Sequence, residues 1–177
     1  IPATVGGAVR QNAGTGYGEE MKDVCIYSKL YDMVENKSIE MNNEELLFSY
    51  RHSIIKEFPE RYIILSAKFN LVEKDKDVTS LISKMKERVK EKIDREPKGH
   101  CFGSTFMNNE KSAWRYIDEV IKDLNISNNV QFSKKHKNLI INYDSASGEE
   151  VVTLIKNAKK IVKKRFNIDL QEEVDII

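Results

Sequence analysis

The sequence predicts an α+β protein, and three observations carry that prediction. Ile63, Leu65, Ala67, Phe69 and Leu71 alternate strictly with Ile64, Ser66, Lys68 and Asn70, the period-two signature of a strand with one buried face. Val78, Leu81, Ile82, Met85, Val89 and Ile93 then fall on one side of a helix that Pro97 stops. Helical and extended stretches interleave without a glycine-rich dinucleotide fingerprint after any strand, which argues against a doubly wound parallel sheet.

Taken in chain order, the first segment is set apart by glycine. Gly6, Gly7, Gly14, Gly16 and Gly18 are five of the eight glycines and lie within eighteen residues. Such a cluster marks tight turns, or a surface against which a ligand or another chain lies. Val5, Ala8 and Val9 between them argue against a linker. Residues 24–35 mix apolar and polar side chains, and Asn36-Lys37 can turn the chain, which predicts a hairpin. Phe48-Ser49-Tyr50-Arg51-His52-Ser53 reads by itself as a partly solvated strand end. The strand of residues 63–71 and the helix of residues 78–93 follow.

Gly103-Ser104-Thr105-Phe106 reads as a glycine turn leading into a strand. Trp114, Ile117, Ile121 and Leu124 space as a second helix. Val151, Leu154, Ile155, Ala158, Ile161 and Val162 space as a third, entered through Ser145 or Ser147 as its cap. Short strands are expected at residues 130–132, 139–142 and 173–177.

Composition narrows the function classes. In 177 residues, 29 basic and 28 acidic side chains nearly cancel, so no overall field draws the chain to nucleic acid or to a membrane. The basic cluster Lys159, Lys160, Lys163, Lys164 and Arg165 is read as compensation of a helix dipole, not as a nucleic-acid site. Cys25 and Cys101 lack metal-ligand spacing and are read as free thiols, and no metal site is expected. No apolar run approaches the roughly 20 residues of a membrane span, and no signal-peptide pattern opens the chain, so a cytoplasmic location is expected. The start at Ile1-Pro2, without Met and directly into the glycine-rich stretch, reads as a fragment.

An ordered set of motifs goes further. Ile-Pro-x-Thr-Val-Gly-Gly-Ala-Val with Asn12-Ala13-Gly14 is followed by Ser49-Tyr50-Arg51-His52-Ser53 and then by Gly103-Ser104-Thr105-Phe106. Ser133 with Lys135-His136 and Asn138 comes next, and Leu170 with Glu173-Val174 closes the series. Throughout its length the chain resembles the UDP-N-acetylenolpyruvoylglucosamine reductases, in their shorter branch. The resemblance implies that residues 1–75 are the carboxy-terminal part of an FAD-binding domain and residues 76–177 a mixed α+β substrate-binding domain. An amino-terminal domain carrying most of the flavin site would precede them, and this fragment would be inactive without it.

The implied activity is NADPH-dependent, FAD-mediated reduction of UDP-N-acetylenolpyruvoylglucosamine to UDP-N-acetylmuramate, for peptidoglycan precursor synthesis. By the family motifs, Ser104 protonates the carbanion left by hydride transfer. Arg51 and Glu173 flank the substrate carboxylate and stabilise the enolate-like intermediate. A guanidinium suits a planar carboxylate because its donors are forked and its charge is permanent. Pro2, Val5, Gly6, Gly7, Asn12 and Gly14 would approach the flavin, and Tyr50, Asn108, Lys135 and His136 would meet the UDP-sugar. The alternative reading is a non-catalytic or altered-specificity sugar-nucleotide-binding paralogue. The start at Ile1 and Asp175 motivate it, Asp175 standing where the family pattern has arginine; Ala3 and Met107 also depart from that pattern.

Overall fold

The computed structural model describes residues 4–71, 78–124 and 127–176. It has the α+β architecture that the sequence predicts, divided into two compact units, Ile1–Lys76 and Asp77–Ile177.

In the first unit the glycine-rich opening is not a run of turns. Val5–Arg10 forms a short helix, α1. Thr4 starts it, its hydroxyl accepting the Gly7 N–H at 3.1 Å, and Gln11 closes it by donating to the Gly7 carbonyl. A cap at each end offsets the low helix propensity of the two glycines. A Cβ on Gly6 would lie 3.7 Å from that of Ile64, an ordinary van der Waals contact, so packing there does not require glycine.

The predicted hairpin forms from β1 (Cys25–Asp32) and β2 (Lys37–Asn42), and β3 (Tyr62–Phe69) pairs with the other edge of β1. The antiparallel order is β2-β1-β3. Asn36 takes the left-handed conformation at the turn, with φ 50°. Asp32 fastens the same turn. One carboxylate oxygen accepts the N–H groups of Val34 and Glu35, and the other accepts two bonds from Arg61 at 2.8 and 3.0 Å. The arginine, with help from the two backbone donors, holds the buried Asp32 carboxyl below its ordinary pKa despite the opposing cost of burial.

Strand β3 corrects the simple alternation. Lys29 faces Ser66, but Leu30 faces Ile64, so Leu65 is an extra residue and the inward phase slips there. Ala67 and Phe69 pack on the core as expected. Ile63 and Leu65 do not, being 51% and 52% exposed, and Tyr62 and Ile64 take the inward places. Val9, Cys25, Leu30, Leu46 and Ile55 complete this core.

A further short helix, α2 (Ile54–Glu57), was not legible in the sequence. Ser53 caps it and also donates to the Arg10 carbonyl at 2.6 Å, tying α2 to the end of α1. Residues 49–52 form a tight turn, not a strand end, with Ser49 and His52 exchanging both backbone hydrogen bonds at 3.1 Å.

In the second unit, α3 (Val78–Arg95), α4 (Ala113–Val120) and α5 (Gly148–Phe166) correspond to the three expected helices. Ser147, not Ser145, caps α5 in a reciprocal box with Glu150, worth about 1 kcal/mol. Strands β4 (Val130–Phe132) and β5 (Ile140–Asn142) pair antiparallel. Phe106, Ile117, Val120, Phe132, Ile155 and Val162 lie in the core between α4, α5 and this hairpin. The apolar stripe of α3 stays exposed, Ile82, Met85, Val89 and Ile93 lining a shallow apolar groove. The strand expected at residues 173–177 does not form among the described residues 173–176; the single bridge, Phe106 with Glu172, lies just before it, and Ile177 is outside the described residues.

Candidate functional site

The three candidate catalytic residues fall in both units, Arg51 in the first and Ser104 and Glu173 in the second. Arg51 sits at the third position of the turn Ser49–His52, with φ 54°. Non-glycine residues reach this region at a cost of about 1–3 kcal/mol and keep it only where the surroundings impose it.

Those surroundings are specific. Arg51 Nη1 lies 3.4 Å from the Asn12 carbonyl and 3.5 Å from Glu20 Oε1, and Nη2 lies 3.4 Å from the Gly14 carbonyl. The guanidinium also stands 4.9 Å from the centre of the Tyr50 ring. Lys56 donates to the Arg51 carbonyl at 3.2 Å. Gly14 is needed for proximity: a Cβ there would meet Arg51 Nη1 at 2.9 Å and the Glu19 carbonyl at 2.8 Å.

Asn12, fully buried with φ 46°, organises the pocket from beneath. Its amide donates to Glu20 Oε2 at 3.0 Å and to the Ser49 carbonyl at 2.8 Å, and its side-chain oxygen accepts the Lys22 N–H at 2.9 Å. Asn12 and Gly14 therefore build the Arg51 pocket. Among the other residues assigned by sequence to a cofactor, Pro2 lies outside the described residues, while Val5 and Gly7 are exposed on α1 and Gly6 is partly so. Gly16 and Gly18 add open backbone at φ 85° and 92°, where a Cβ would meet nothing.

In the second unit, Ser104–Phe106 runs between two other segments. On one side Ser104 bridges Leu139, and the Thr105 N–H donates to the Asn138 carbonyl at 2.8 Å. The buried Asn138 side chain clamps Phe106 by accepting its N–H at 3.0 Å and donating to its carbonyl at 2.8 Å. On the other side the Glu173 N–H donates to the Thr105 carbonyl at 2.9 Å, and the Met107 N–H to the Gln171 carbonyl at 2.8 Å. Lys159 of α5 pins the latter segment through both Glu172 oxygens at 2.6 Å. Ser104 and Glu173 are thus carried on adjacent hydrogen-bonded segments, Glu173 opposite the residue that follows Ser104.

The remaining candidates are distributed more loosely. Asn108 accepts the Ala113 N–H at 3.0 Å and so caps α4. Lys135 donates to the carbonyls of Ile93 and Glu96, both at 3.0 Å, capping the end of α3. His136 lies in the Ser133–Leu139 loop, where burial, then the charge of Arg95, push its pKa below the usual histidine value. The sequence points to no role for Glu20 or Glu172 at the site, and to Lys159 only as part of a cluster compensating a helix dipole. Their pairings are tertiary, and no periodicity announces them. Among the described residues no group of three or more His, Cys, Asp or Glu could hold a metal ion, and no described helix is long and apolar enough to cross a membrane.

Comparison with known proteins places this arrangement. Residues 95–177 match the family model described as UDP-N-acetylenolpyruvoylglucosamine reductase, C-terminal domain. Curated reductases of that name are similar along the whole chain. The protein from Petrotoga mobilis is 34% identical over 180 residues, spanning 99% of this chain and 57% of its own length, and that from Agathobacter rectalis is 36% identical over 182 residues, spanning 100% and 55%. The crystal structure of UDP-N-acetylenolpyruvylglucosamine reductase from Thermus caldophilus matches with a TM-score of 0.77 at 29% identity, covering 99% of this chain and 60% of that one.

Fold and matches together define an α+β carboxy-terminal reductase domain and the segment before it. The chain belongs to the UDP-N-acetylenolpyruvoylglucosamine reductase family, as its carboxy-terminal part, and it spans a little over half the length of the curated relatives it matches.

Proposed function

We propose that this chain supplies the carboxylate-binding and proton-donating residues of a reductase that converts UDP-N-acetylenolpyruvoylglucosamine to UDP-N-acetylmuramate in the cytoplasm, for peptidoglycan synthesis. The observation that most supports the reading is the pairing that carries Ser104 and Glu173 on neighbouring segments, each fastened independently, by Asn138 and by Lys159. In this proposal residues 1–75 complete a flavin-binding domain begun in an amino-terminal part of the same protein, and residues 76–177 bind the UDP-sugar.

Val5 and Gly7 are exposed on α1 and Gly6 partly so, which suits close approach by a large planar cofactor, and FAD is the group proposed there. When bound and reduced by NADPH, a flavin supplies the hydride. Arg51 presents forked donors to the substrate carboxylate and keeps its charge throughout. Ser104 delivers the proton to the carbon left with an electron pair. Serine is a weak acid, so this step relies on the basicity of the intermediate and on a hydroxyl held within hydrogen-bond reach. Glu173 flanks the same carboxylate, where its carboxyl, carrying a proton, would donate to the developing negative charge, a preorganised donor contributing on the order of 3 kcal/mol. Tyr50, Asn108 and His136 are proposed to line the sugar-nucleotide path, with Lys135 beside them through its remaining donor.

The test is NADPH oxidation by the full-length protein in the presence and absence of the enolpyruvyl sugar nucleotide. Oxidation that depends on this substrate and yields UDP-N-acetylmuramate supports the proposal. Binding of the sugar nucleotide without turnover, by a flavin-loaded protein, contradicts it.

A further inference from the structure

We infer that Glu20 is a positioning residue for Arg51, fixing the direction in which the guanidinium presents its charge. The inference rests on the reading of Arg51 as the carboxylate-binding arginine and adds a residue to which no role in the reaction has yet been assigned.

The geometry has three parts. First, Glu20 is itself immobilised, since its Oε2 accepts from the buried Asn12 amide at 3.0 Å and pairs with Lys22 Nζ at 3.1 Å. Its other oxygen, Oε1, is the one aimed at Arg51 Nη1. Second, both side chains are largely withdrawn from water, at 13% exposure for Arg51 and 14% for Glu20, so the pair is screened far less than a surface ion pair. Third, the contacts to Glu20, Asn12 and Gly14 are long. The guanidinium lies 3.4–3.5 Å from Glu20, Asn12 and Gly14, whereas charge-assisted bonds to a carboxylate close to about 2.7–2.9 Å. Contacts of that length orient the group without competing with a substrate carboxylate that reaches full hydrogen-bond distance.

Glu20 is therefore suited to aim the arginine, while the carbonyls of Asn12 and Gly14 set its depth. Replacing the carboxylate by an amide keeps the shape and an acceptor for Asn12 but removes the charge that orients Arg51. Misplacing a substrate-orienting group by a fraction of an ångström affects the chemical step more than the gathering of substrate.

The experiment is a double-mutant cycle in the full-length flavoenzyme with Glu20→Gln, Arg51→Lys and the double variant, reading kcat and KM separately alongside thermal stability. Glu20→Gln is expected to lower kcat about tenfold, with KM within about twofold and melting unchanged, and to add little further loss in the Arg51→Lys background. Equal losses from Glu20→Gln in both backgrounds, or wild-type kcat, overturn the inference while leaving the function intact. Wild-type kinetics in Arg51→Lys instead overturn the assigned role of Arg51, and the inference falls with it.

Discussion

The Glu173 N–H donates to the Thr105 carbonyl at 2.9 Å, joining the end of the chain to the segment that carries Ser104. That segment is held on its other side by Asn138, whose side chain satisfies both the N–H and the carbonyl of Phe106. Since Phe106 is fully buried, neither backbone group can turn to water as a substitute. Asn138→Ala is expected to cost about 3 kcal/mol in thermal or denaturant unfolding, because it orphans a donor and an acceptor at once. A loss below about 1 kcal/mol would show that the clamp does not hold the segment.

Gly14→Ala tests the Arg51 pocket sterically. The added Cβ would meet Arg51 Nη1 at 2.9 Å and the Glu19 carbonyl at 2.8 Å, and the latter is backbone that cannot swing aside. The expected outcome in the full-length enzyme is a fall in kcat/KM of about tenfold or more as the guanidinium is displaced. Wild-type kinetics would mean that the arginine does not need its observed position.

How far the sequence reached depends on how local the signal was. The stripes of α3, α4 and α5 and the turn at Asn36 are local, and they are where expected. The phase slip at Leu65 arises from pairing with β1, so alternation alone put Ile63 and Leu65 on the wrong face. Helix α1 was hidden by Gly6 and Gly7, whose low propensity is overridden by the Thr4 cap and by packing of Val9. At the candidate site, Arg51, Ser104 and Glu173 are proposed from motif order. Glu20 and Lys159 emerge only from contacts between segments distant in sequence.

Asp32 gives a pH signature. Its folded pKa is depressed, first by the bond from Arg61, so the stability it contributes is present above the unfolded carboxyl value and is lost as pH falls through the folded one. Wild type is therefore expected to be more stable than Asp32→Asn near neutrality, with the difference shrinking below about pH 4. Parallel melting curves across this range check it. A difference that stays constant with pH contradicts an ionised Asp32.

The two thiols should separate cleanly. Cys25 is buried, and burial pushes its thiol pKa up, whereas Cys101 is exposed. Alkylation of the native protein followed by peptide mass analysis is expected to label Cys101 and spare Cys25, with both modified after denaturation. Early labelling of Cys25 would show that the core under β1 opens readily.

The proposed function is tested most directly by Ser104→Ala in the full-length protein, assayed for turnover and separately for flavin reduction by NADPH. Turnover is expected to fall by about a hundredfold or more, the contribution of a positioned proton donor, with flavin reduction unchanged. Turnover at the wild-type rate would contradict the assignment of Ser104 as proton donor, and with it the role proposed for the paired segments of Ser104 and Glu173.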